Sequence, residues 1–263
     1  GYPLVSELAA ATSPDRSRLL AVLGVSVALG DHLCRAPQHW RAVLPLEEPD
    51  RADRRDYRAA LLTAVGADPA AADPVAGTGQ EALDELRTVY RSELLGIAGA
   101  DLADELDIEA VGRELAALAA GTLEAALAIA RAASPADQPP GRLAIVAMGK
   151  AGGRELNYVS DVDVVFVAEP VANGTPAANG TSAANGTPAA DGALEAAALA
   201  KATRLATAVI QACGAHTPTG TIWPVDAALR PEGRAGPLVR TLPSYLAYYQ
   251  RWAKTWEFQA LMK

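Results

Sequence analysis

The sequence predicts an α+β chain: a helical region through about residue 135, then a smaller α/β domain with a small mixed sheet, ending in helix. Three observations carry this expectation. Apolar residues recur at helical intervals in the first half, as Leu19, Leu20, Leu23, Val27, as Leu83, Leu86, Tyr90, Leu94, and as Leu115, Leu118, Leu123, Leu127. A proline-rich stretch from Ser134 to Gly141 then interrupts the pattern. Short, β-branched apolar runs follow it, of the kind that form buried strands.

Start signals support the helices. Ser13, Pro14 and Asp15 offer a capping hydroxyl, a preset φ and an acidic group, and Asp107 stands likewise before Ile108 and Glu109. After the proline-rich stretch, Leu143 to Met148 and Val162 to Val167 read as strands, the second closed by Glu169-Pro170. Leu194 to Cys213 has helical composition. Thr221 to Leu229 reads as a third strand, with Pro224 placing it near an edge or bulge, and Pro243 to Lys263 reads as a helix. On that last helix Tyr248, Tyr249, Trp252 and Trp256 recur at helical spacing and are expected to be packing residues. The expected domains are therefore 1–135 and 141–263. Within the second, residues 172–192 form an Asn-Gly-Thr repeat with nothing apolar enough to offset the entropy of ordering, so a disordered insertion is expected. Its triplets at Asn173, Asn179 and Asn185 match the glycosylation sequon, which only a secreted protein would use.

Composition narrows the function. Of 263 residues half are apolar, enough for a substantial core. Lysine and arginine number 23 against 31 acidic residues, a net charge of −8, which disfavours a nucleic-acid partner. Cys34 and Cys213 show no disulfide or zinc spacing and are expected to be small core residues in a reducing cytoplasm. His32, His39 and His216 lack the spacing of a histidine metal site. No stretch of about 20 uninterrupted apolar residues suggests a membrane span.

The chemistry concentrates in Gly149-Lys150-Ala-Gly-Gly-Arg-Glu-Leu-Asn157-Tyr-Val-Ser160-Asp161-Val-Asp163. In a strand, residues two apart share a face, so Asp161 and Asp163 stand roughly 7 Å apart at the backbone and can converge. Two like charges at about 4 Å repel by about 4 kcal/mol at an effective dielectric near 20, so convergence calls for a cation. Carboxylate oxygens without sulfur or imidazole suit Mg²⁺ or Mn²⁺. Upstream, the glycine turn after the first strand leaves backbone N–H groups for a phosphate. The Walker pattern is not met, since Ala144 and Ala151 stand where it needs glycine and Ser or Thr. Asp226, in an apolar run, is the candidate third ligand, because a lone strand aspartate is costly unless compensated.

A glycine turn, an Asp-x-Asp about ten residues later and a distant third aspartate together resemble the nucleotidyltransferase fold of the DNA polymerase β superfamily. Three stretches sharpen the resemblance: Gly149 to Asp163, Asp226-Ala-Ala-Leu-Arg-Pro-Glu-Gly-Arg234, and Tyr248 to Leu261. Together they resemble the bifunctional glutamine synthetase adenylyltransferase/deadenylylase family, over roughly the second half of the chain. Glu155-Leu156-Asn157, with Trp252-Ala-Lys-Thr-Trp256, is similar to the N-terminal, deadenylylating copy of its two catalytic domains. The resemblance implies phosphorolysis: phosphate attacks the α-phosphorus of AMP on a glutamine synthetase tyrosine and yields ADP. It implies that Asp161, Asp163 and Asp226 are catalytic and hold two Mg²⁺ or Mn²⁺ ions, and that Gly149, Lys150 and Ser160 bind phosphate oxygens. Arg230 is then expected to neutralise phosphoryl charge. Implied partners are glutamine synthetase, a PII-type signal protein, the nucleotides AMP, ADP and ATP, and phosphate. Two alternatives stay open: ATP-dependent adenylylation of glutamine synthetase, and a non-catalytic module that binds glutamine synthetase or the PII-type protein.

Overall fold

The computed structural model describes residues 6, 9–44, 56–134, 141–170 and 188–262. The stretch 135–140, and the repeat through residue 187 with its three sequons, lie outside the described residues.

The first half is helical, as its periodicity predicts. Helices α1 (Ser13–Val25) and α2 (Val27–Arg35) meet at a sharp bend of 117°. Ser26 causes the break by ending α1 and capping α2, its hydroxyl accepting from Leu29 N at 3.3 Å. The predicted stripe of Leu19, Leu20, Leu23 and Val27 is accordingly not one face. Leu19 and Val22 turn inward while Leu20, Leu23 and Val27 are exposed. The cap of α1 is Thr12 rather than Ser13, its hydroxyl accepting from Asp15 N at 3.3 Å.

A 3₁₀ turn (Pro37–Val43) leads on to α3 (Tyr57–Ala64), α4 (Gln80–Asp101) and α5 (Ile108–Ala132). Asp107 caps α5 as expected, accepting from Ala110 N at 2.7 Å. Leu115, Leu118, Leu123 and Leu127 are all buried. By length and composition α5 passes for a membrane span, but Arg113, Glu114 and Glu124 interrupt its apolar run. It is instead the central helix of the core, with 72% of its most apolar window buried.

The second half builds a mixed sheet. Strand β1 (Gly141–Ala147) pairs antiparallel with β2 (Val162–Pro170), from Gly141 opposite Pro170 to Ala147 opposite Val164. A single helical turn, α6 (Gly149–Gly152), follows β1. The other edge of β2 takes two short parallel strands, β3 (Val225–Asp226) and β4 (Val239–Thr241). The predicted third strand thus shrinks to two residues, since Pro224 has no N–H to donate and the chain turns after Asp226. β4 escaped the sequence reading because three residues between turns show no period.

Helix α7 (Pro188–Gly214) starts six residues before the expected Leu194. The last repeat unit, 188–192, is thereby helical rather than disordered. Proline suits a first helical turn, and the alanines that follow are strong helix formers.

One face of β2, through Val162, Val164 and Phe166, joins Leu61, Leu86, Leu118 and Val209 in a single cluster that spans α3, α4, α5 and α7. The opposite face, at Val165, packs with Met148 and Tyr245 beneath α8 (Leu242–Arg251). The helix predicted over 243–263 divides, because Glu257 accepts from Lys254 N at 2.7 Å and starts α9 (Thr255–Ala260) afresh. Tyr248 and Tyr249 pack as expected, in edge contact at 5.7 Å between ring centroids, but Trp252 and Trp256 are exposed. Of the cysteines, Cys213 is buried and Cys34 is exposed.

His32 is buried on α2, and its Nε2 lies 3.0 Å from His39 Nδ1. Burial, then His39, Arg91 and Arg35, lowers its pKa to about 4. The folded state therefore holds a neutral ring, while the unfolded chain protonates near pH 6.5. Between those values the unfolded state binds more protons, so stability falls as pH drops from about 6.5 to 4. Melting curves at pH 7.5 and 4.5 should show a smaller acid-induced loss in His32→Gln than in the parent chain. Equal losses would rule out His32 as a source of the acid sensitivity.

Candidate active site

The register of two strands builds the site. β2 and β3 run parallel with Asp163 beside Asp226, so their side chains leave the sheet on one face at the strand spacing of about 4.8 Å. Asp161, two residues before Asp163, faces the same way. Carboxylate oxygens of Asp161, Asp163 and Asp226 all fall within 4.8 Å of one another. Val162 and Val164, on the reverse side, are fully buried, which anchors the strand that presents the acids. The three aspartates come together as the sequence suggests, although only Asp163 and Asp226 lie in strands and Asp161 just precedes β2.

The charges are uneasy neighbours. Burial first, then Asp161 and Asp226, pushes the carboxyl of Asp163 up, while Lys150 pulls it down. Asp226 is steadied on one oxygen by Ala228 N at 2.7 Å and on the other by Arg234 at 3.5 Å. With only oxygen donors converging and their repulsion only partly offset, the set fits a hard divalent cation such as Mg²⁺ or Mn²⁺.

Gly149 borders the cluster directly. Its φ is +54°, in the left-handed region, and a Cβ there would lie 2.6 Å from Asp163 Oδ2. A side chain would be strained in the backbone and would displace the Asp163 carboxylate, so glycine is favoured on two counts. The turn is tied to the strand by Met148 N donating to Asp163 O at 2.8 Å. Gly149, Lys150 and Ala151 open α6, and first-turn amides have no acceptor within their own helix. Lys150 Nζ reaches across the loop to Ser160 Oγ at 3.1 Å, so these two expected phosphate ligands, like Gly149, stand beside the aspartates.

Arg230 is placed differently from the expectation. Its guanidinium donates to the carbonyls of Ala227, Gly236 and Arg234 at 2.7, 3.2 and 3.3 Å, which braces the turn after β3. A side chain so committed is poorly placed to meet a phosphoryl group. Arg234, exposed, is the arginine that stands beside Asp226. The glycine next to it in Glu232-Gly233-Arg234, with φ +59°, was the available hint that the chain doubles back here.

Clustered carboxylates beside the first-turn amides of α6 and a lysine suit metal-assisted transfer at phosphorus, the chemistry of the nucleotidyltransferases among others. Comparison with known proteins agrees with that class. The family described as glutamate-ammonia ligase adenylyltransferase matches residues 16–263, and the chain belongs to it. The bifunctional glutamine synthetase adenylyltransferase/adenylyl-removing enzyme of Streptomyces avermitilis is 50% identical over 254 residues, covering 96% of this chain and 22% of the relative. Its counterparts in Cutibacterium acnes and Mycobacterium bovis are 47% and 40% identical, over 94% and 98% of this chain and 23% of each relative. The chain thus spans less than a quarter of the length of these relatives.

Proposed function

We propose that the chain carries the adenylyl-removing activity, releasing AMP from a glutamine synthetase tyrosine by phosphorolysis. Nucleotidyl transfer is supported above all by the convergence of Asp161, Asp163 and Asp226 beside Gly149. The direction rests on the likeness of Glu155-Leu156-Asn157 and Trp252 to Trp256 to the deadenylylating copy of the family.

In this reading a phosphate oxygen bonds to the α-phosphorus, the P–O bond to the tyrosine breaks, and phenolate and ADP are the products. Asp161, Asp163 and Asp226 would hold Mg²⁺ or Mn²⁺, which supplies charge neutralisation for the incoming phosphate and the departing phenolate. The protein's own contribution is placement. Lys150 brings a point positive charge to the phosphate oxygens, with Ser160 beside it as a hydroxyl donor. The amides opening α6 bind without side-chain bulk, because Gly149 keeps that approach clear. Phenolate, with an ordinary pKa near 10, leaves without a strong general acid once its charge is shielded.

The deciding assay offers the chain two substrate sets. Adenylylated glutamine synthetase with phosphate and Mg²⁺ or Mn²⁺ should yield ADP and unmodified enzyme. Unmodified glutamine synthetase with ATP should stay unmodified. Labelling of the second substrate without turnover of the first would reverse the direction, and binding without either reaction would mark a non-catalytic module.

A further inference from the structure

Asp161 is the cluster member with least support of its own. It is exposed and precedes the first residue of β2, so no strand ladder holds it. Its position follows from the segment Gly153 to Ser160, whose start is bonded to the α6 turn through the amides of Gly153, Arg154 and Glu155, whose end meets Lys150 at Ser160, and whose middle lies in neither helix nor strand. That segment leans on the helical half of the molecule. Leu156 is buried in the main core. Gly112 of α5 lies so close that a Cβ there would stand 3.1 Å from Glu155 Cα and 3.2 Å from Arg154 O. Tyr158, three residues before Asp161, donates its hydroxyl to Asp101 Oδ2 at 2.8 Å, at the last residue of α4.

A cavity of about 390 Å³ opens beside this bond, lined by Asp101, Tyr158, Val159, Leu94, Leu102 and Ile222. Val159 is almost fully exposed. The ring thus stands between the cavity and solvent, with its hydroxyl held by Asp101.

We infer that Tyr158 and Asp101 are positioning residues: their hydrogen bond ties the segment before β2 to helix α4 and so sets where the Asp161 carboxylate stands. The helical half thereby acts on the candidate active site without touching substrate. The inference rests on the proposed cation site only for its consequence, since the tie itself is readable without metal.

The test uses the 263-residue chain and two readouts. In metal-free protein, Tyr158→Phe and Asp101→Ala should each speed amide hydrogen exchange of residues 154–161 by about fivefold or more, with α5 and β2 unchanged. Mn²⁺ binding, titrated calorimetrically, should weaken about tenfold in both, as expected for groups that orient a metal ligand. The double variant should be no worse than either single one, because one bond is lost in all three. Asp101→Asn should behave as the parent chain, since an amide oxygen still accepts from the hydroxyl. Parent-like exchange in both Tyr158→Phe and Asp101→Ala would overturn the inference. So would an Asp101→Asn segment as mobile as that of Asp101→Ala. Absence of Mn²⁺ binding by the parent chain would remove the metal reading of the three aspartates, while the exchange data would still decide the tie.

Discussion

Phosphorolysis of adenylylated glutamine synthetase is expected to fall at least about a hundredfold in Asp163→Ala, the usual scale for losing one preorganised electrostatic group. Asp163 has the central position. It stands beside Asp226 in the strand register and shares a face with Asp161, and its backbone carbonyl holds Met148 N at the start of the glycine turn. Removing its carboxylate leaves two acids that no longer close around a cation. Turnover within a few-fold of the parent chain would sink the catalytic assignment.

The same side chain predicts a gain elsewhere. Burial and its two acidic neighbours raise the Asp163 pKa, so its ionised form costs folding stability, and that cost appears as pH rises through the carboxylate range. At pH 7.5, metal-free Asp163→Asn should therefore melt above the parent chain. Added Mn²⁺ should raise the melting temperature of the parent and leave that of the variant nearly unmoved, through preferential binding to the folded state.

Gly149→Ala is the second large effect. Alanine in the left-handed region costs about 1–2 kcal/mol, which a melting experiment would register. The greater loss is expected in turnover, because the new methyl would stand 2.6 Å from Asp163 Oδ2 and the carboxylate must yield. A displacement of about 1 Å in a reacting group can cost about a hundredfold. Gly24→Ala is the control: nothing lies within 4 Å of its added Cβ, so activity should be unchanged. Activity in Gly149→Ala within about twofold of the parent would place the turn outside the site.

Much of this site was legible in one dimension. Asp161 and Asp163 are two apart in a β-branched run, and alternation alone puts them on a common face with valines behind them. Gly149-Lys150 at the end of the preceding strand marks a turn that needs no side chain. Asp107, the leucine stripe of α5 and the strand character of 162–167 were equally local facts. Each depends on the periodicity of one segment, and periodicity survives folding.

What failed was decided by contacts between segments. The stripe across α1 and α2 was broken by a serine that serves both helix ends, and Trp252 and Trp256 fell on either side of the break between α8 and α9 and stayed exposed. Arg230 carried the right charge in the right motif, yet three carbonyls of its own turn took its guanidinium. Nothing in a linear pattern reveals which acceptor a five-donor cation will meet first.

By itself, then, the sequence determined an α+β chain through periods of 2 and 3.6 residues, and its motifs carried the resemblance to a nucleotidyltransferase family and named three candidate acids. The tertiary structure alone decided the parallel register that sets Asp163 against Asp226 and the reach of Tyr158 to Asp101 across 57 positions. Those depend on the distances between residues far apart in the chain, which only the packing of helices against the sheet fixes.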